Sequence, residues 1–286
     1  MATPPSLGCC RRFRHELTRP CGSTFFDLVE PDGETTIDPG PAFSQHGPVV
    51  LAWRIVAFFF FTATLVLQLV EGNPFSLPFF SYVTSIFYLL SCVYFALSLL
   101  CSLVARASAG AREGIDSLAA RSSGGAREGI DATPLEKASW LLFTVVEPGE
   151  ILLTIVYWAL IYTPDSAQNI YTICSHGVIA VVLTIDGWVV GQIPFRVTQF
   201  LFMFVCTGCY AVWSYIHFLI YKNDDYEPIY SFLNWKENPS MAAIMALAML
   251  FIGCPFIFML CWVLSTLRPK RYILQSKTVD FEEGTH

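Results

Sequence analysis

Charge is scarce in this chain. Only 14% of its 286 residues are Asp, Glu, Lys or Arg, where soluble globular domains carry about 25%. With 54% hydrophobic residues and a mean hydropathy of +0.53, that deficit excludes an ordinary soluble domain and points to a polytopic membrane protein. A basic patch with interleaved aromatics is also missing, so nucleic acid is not a partner. The net charge of −6 says little, because charge is confined to loops and tails. Cysteine is present ten times, but most copies fall in apolar runs, where the thiol acts as a small hydrophobe. Cys206 and Cys209 have a metal-site spacing without a second ligand pair, so no disulfide framework, no metal and no cofactor are expected. The first 48 residues hold no apolar core of signal-peptide length. The first transmembrane helix is therefore expected to serve as the insertion signal.

Long apolar runs are what the sequence does contain. A helix needs about 20 such residues to cross the hydrocarbon. Six segments qualify, at 49–71, 78–104, 139–162, 170–190, 195–221 and 241–266. The third is the most interrupted, holding Glu147, Pro148, Gly149 and Glu150. The expectation is an all-α polytopic membrane bundle of six transmembrane helices. Lys and Arg orient it. The N-terminal tail, the second loop, Arg196 and the C-terminal tail carry nearly all of the 17, while the opposite side has Lys222 and Lys236. The positive-inside rule then puts both the N and C termini in the cytoplasm.

Three regions follow: a disordered cytoplasmic tail over 1–48, the membrane domain over 49–266, and a cytoplasmic tail over 267–286. The loop at 105–137 carries a duplication, "GAREGID" at Gly110–Asp116 and again at Gly125–Asp131. Its Gly, Ala and Ser content reads as a flexible insertion in preference to a docking repeat. Cys9 and Cys10 beside Arg11 and Arg12 match a weak palmitoylation pattern.

An ionisable side chain inside hydrocarbon costs about 2.5–3.5 kcal/mol on insertion scales, so each one asks for a partner or a function. At about 1.5 Å per residue, Thr62, His176 and His217 fall at about 13, 9 and 6 Å below the outer surface. Glu150 falls at about 18 Å by the same count. His176 is thus a candidate for chemistry. Asp186 lies about 15 Å nearer the cytoplasm and about 80° round the helix. It reads as a structural anchor, with Arg196 within reach across "GQIP".

"SHGVIAVVLTID", "IPFR" and "WSYIHFLIYKNDDYEPIYSFLNWKENP" resemble the Rolling stone family of membrane proteins. More distantly the chain resembles the androgen-induced-gene family, which includes the androgen-dependent TFPI-regulating protein. The shared elements, in order, are a Pro148-Gly149 break, the aromatic helix end "YWALIY", Ser175-His176-Gly177, and the late "EPIYSFLNW". The resemblance covers roughly 50–265 without 105–137. The androgen-induced-gene family implies hydrolysis of fatty acid esters of hydroxy fatty acids by a threonine and a histidine. These carry over to Thr62 and His176, with Thr64 as the fallback; the family's Thr-x-x-Asp spacing is absent, since position 65 is Leu65. The Rolling stone branch implies instead a non-enzymatic protein of cell fusion, adhesion or membrane assembly.

For such a pair, the imidazole would take the hydroxyl proton as it attacks an ester carbonyl, then protonate the leaving alkoxide. Glu150 or His217 would support the ring. A membrane lipid or lipid ester is the expected partner.

Overall fold

The computed structural model describes residues 35–37, 48–71, 81–119, 133–164, 169–191, 193, 195–222, 226–267 and 272–274. Six helices are long and apolar enough to cross a membrane: Val49–Val70, Val83–Ala107, Pro134–Ile161, Ile170–Val190, Val197–Tyr221 and Pro239–Thr266, here spans one to six. The chain is an all-α bundle of six spans. A three-residue antiparallel pairing, Thr35–Ile37 with Tyr272–Leu274, ties the two tails together.

The apolar runs predict the spans well, but the helix ends follow capping chemistry outside them. Span three starts at Pro134, five residues before the expected 139. Thr133 accepts from the Glu136 N–H, and the Glu136 carboxylate accepts from the Thr133 N–H at 2.7 Å. This reciprocal box satisfies two donors that a helix start leaves open. Span four starts at its expected place because the Asn169 side chain accepts from the Thr172 N–H at 2.8 Å. The helix of span two continues past the membrane to Ala119. At about 1.5 Å per residue its 37 residues run about 55 Å, well beyond a hydrocarbon core of about 30 Å. The start of the expected flexible loop, including the first "GAREGID", is therefore helical. The second copy, the Cys9–Cys10 pair and most of both tails lie outside the described residues.

Span two is the organiser, packing against span one on one side and span three on the other. Small buried hydroxyls at Ser85, Ser91, Ser98 and Ser102 let those neighbours come close. Span three is the most enclosed of the six. Its interrupted stretch Glu147–Glu150 stays helical through Pro148 and is wholly buried. The contact face carries two glycine sockets. The Phe87 ring of span two sits where a Gly149 Cβ would be, and the Phe143 ring of span three sits where a Gly187 Cβ would be.

Four π-helical turns interrupt the spans, at Tyr157–Ile161, Cys174–Val178, Ile185–Val190 and Met249–Gly253. The last has a plain cause. Pro255 follows it, lacks an N–H and crowds the carbonyl four residues back, and the wider turn relieves both effects. π-turns also recur at functional sites; one of the others contains His176 and another packs against it.

Candidate functional site

His176 lies in the π-turn Cys174–Val178, where its own backbone leaves the helical region at φ −119°, ψ 22°. Two consecutive aromatics of span three hold it. The Tyr157 ring stacks face to face on the imidazole, with centroids 3.8 Å apart and planes 1° from parallel. The Trp158 indole N–H donates to the His176 carbonyl at 2.7 Å. Both come from the other π-turn, Tyr157–Ile161, so the two irregular segments face each other. The Nδ1 of His176 is buried and has no hydrogen-bond partner.

The Tyr157–His176 stack separates two cavities. One, of about 280 Å³, is polar and takes His176 in its wall. Span two gives it hydroxyls from Thr84, Ser85 and Tyr88, and span four those of Tyr171, Thr172 and Ser175. Gln68 and Asn169 add amides. The other, of about 80 Å³, is apolar and takes Tyr157 in its wall, together with Phe87, Leu153, Met203 and Met249. Thr84 borders both. Over the apolar cavity the connection between spans five and six folds back, and Tyr230, Phe232 and Leu233 close it. The Trp235 indole N–H pins this strap to Ser214 Oγ at 3.2 Å. Tyr82 and Tyr230 meet edge to face, centroids 5.8 Å apart. Burial pushes the Tyr230 phenol up to about 12, so it remains neutral there. The late "EPIYSFLNW" element is thus the roof of a cavity.

The chain matches no protein-family model, no curated protein and no solved structure.

Of the residues singled out in the sequence, the structure brings only some together. Thr62 Oγ1 is buried without a hydrogen-bond partner and does not border the polar cavity. No hydrogen bond joins it to His176. The fallback, Thr64, comes closer through span two. Its hydroxyl shares a short hydrogen bond with the Tyr88 hydroxyl, which lines the cavity, and also donates to the carbonyls of Phe60 and Phe61 at 3.1 and 3.0 Å. Glu150 is fully buried and accepts from Ser91 Oγ at 3.2 Å. It makes no bond to His176 Nδ1. His217 sits on span five beside Tyr221 and Tyr226, at ring-centroid distances of 4.7 and 6.2 Å, and lines neither cavity.

Asp186 is the anchor it was expected to be, with other partners supplying the hold. Its carboxylate pairs with Arg54 Nε at 3.6 Å and accepts from the Trp53 indole N–H at 3.0 Å and from the Tyr94 hydroxyl. Arg54 also donates to the Ser98 carbonyl at 3.2 Å and to Ser102 Oγ. Spans one, two and four are thereby tied together at the end opposite the cavities. The aromatic clamp on His176 escaped sequence reasoning. Its only trace there was the pair Tyr157-Trp158 in "YWALIY", with nothing to say which ring it would meet.

Proposed function

We propose that this protein binds an amphipathic lipid inside the membrane and hydrolyses an ester bond of it, with His176 as general base. The observation that supports this is the pair of adjoining cavities. One is apolar, as the surroundings of an acyl chain must be; the other is polar and takes His176 in its wall. Ligand sites are typically apolar with a few placed polar groups, and a lipid would bring its ester to the border at Thr84. There His176 would take a proton from the attacking oxygen and return it to the leaving alkoxide. The ester gains the elements of water and yields an acid and an alcohol. The family resemblance makes Thr62 the attacking hydroxyl, whereas the cavity walls favour a water molecule. The placement of Lys and Arg supports a cytoplasmic location for both termini.

Purified protein given a fluorogenic lipid ester tests the proposal. His176→Ala should lower turnover by about 10²-fold or more, the scale of general-base catalysis. Thr62→Ala should abolish it only if threonine is the nucleophile; if water attacks, the rate is kept. Equal turnover by native protein and His176→Ala ends the hydrolase reading. The second reading, a non-enzymatic Rolling stone-like protein of fusion or membrane assembly, is favoured by the missing bond between any described hydroxyl and His176 Nδ1. It predicts lipid binding without turnover.

A further inference from the structure

From the chemistry of the polar cavity we infer the class of headgroup this site takes: an uncharged one bearing several hydroxyls, such as a glycerol or a sugar. This rests on the lipid-binding reading above and sharpens it. Among the described residues, the cavity wall holds no Asp, Glu, Lys or Arg. It is built from hydroxyls, two amides and the His176 imidazole. A hydroxyl donates one hydrogen bond and accepts two, and an amide does both. A wall of that kind matches a ligand whose own groups both donate and accept, as those of a polyol do.

A carboxylate or phosphate headgroup only accepts and carries charge. Moving it out of water without a counter-charge is expensive, and no described cation lies at the wall to receive it. Arg54 is at the far end of the bundle and already engaged by Asp186, Ser98 and Ser102. A choline-type cation would need an acidic or closed aromatic cage. The buried carboxylate of Glu150 lies off the wall and is hydrogen-bonded to Ser91. The imidazole is the one group able to gain charge there besides the phenols. It is held flat against Tyr157, with its Nδ1 buried.

Four lipids that share one oleoyl chain separate the classes: monooleoylglycerol, oleate, oleoyl lysophosphatidate and oleoyl lysophosphatidylcholine. Each competes against radiolabelled monooleoylglycerol on the full chain in a neutral detergent. The competition is run at pH 8. Monooleoylglycerol should compete at concentrations about tenfold or more below the three charged lipids, equivalent to about 1.4 kcal/mol. Gln68→Arg, which puts a cation at the half-buried wall, should reverse the order in favour of oleate and lysophosphatidate. Asn169→Lys at the exposed mouth serves the same purpose if Gln68→Arg does not fold. Equal or tighter binding of a charged lipid by the native protein overturns this headgroup assignment and leaves lipid binding intact. Saturable binding of none of the four overturns both. Selective monooleoylglycerol binding without ester turnover supports the assignment and removes the hydrolase.

Discussion

At the scale of single residues, the ionisable groups divide between two ends of the bundle with opposite needs. Arg54 and Asp186 are both fully buried and paired; Asp186 also accepts from Trp53 and Tyr94, and Arg54 Nη1 donates to Ser98 and Ser102, while its Nε and Nη2 make no hydrogen bond. Removing one member strands the other charge, at a cost of about 3–5 kcal/mol. Asp186→Leu and Arg54→Met should each lower thermal stability in detergent by that order, and the double variant should recover more than half. Two additive losses would mean the pair is not coupled. The presence of a charge in span four was legible in the sequence; its partner was not. Residues 53 and 186 lie 133 positions apart, and Arg196 was merely the nearest cation along the chain. Thr62 shows the same gap differently. Counting residues gives a depth in the membrane but not a direction around the helix. Two positions on, about 200° round, Thr64 is the hydroxyl that meets Tyr88.

At the scale of helices, hydrophobic length made the spans readable, because a run of about 20 apolar residues has few other uses. Their mutual packing depends on shape, which periodicity cannot express. The Gly187 socket is the sharpest case: a Cβ there would stand 1.8 Å from the Phe143 ring. Gly187→Ala should therefore destabilise by about 1–3 kcal/mol, as overpacked cores do. Gly177→Ala, where a Cβ meets nothing within 4 Å, should stay within about 0.5 kcal/mol. Thermal unfolding of the two variants side by side checks both. A loss at Gly177 as large as at Gly187 would refute the socket argument. The π-turns were not legible either. Only the one before Pro255 has a marker in the sequence, and the two around His176 depend on the contact they make.

At the scale of the whole molecule, an even number of spans returns the chain to the side it started from. The pairing of Thr35–Ile37 with Tyr272–Leu274 needs just that arrangement. Accessibility tags at residue 2 and residue 286 should therefore be protected or cleaved together in sealed vesicles. An N-glycosylation acceptor inserted into the connection 226–238 should report the other side. Opposite behaviour of the two tags would mean an odd number of crossings. The ion pair at the far end from the cavities also bears on biogenesis. Span one leaves the ribosome with Arg54, and its counter-ion is not made until Asp186. At about 5–20 residues per second, that interval lasts on the order of ten seconds. Span two brings Ser98 and Ser102 earlier in that interval, but throughout it the arginine has no counter-charge from the chain and leans on the water and headgroups at its end of the helix. The ion pair should accordingly be among the last contacts of span one to close, and the acid in span four is what completes it.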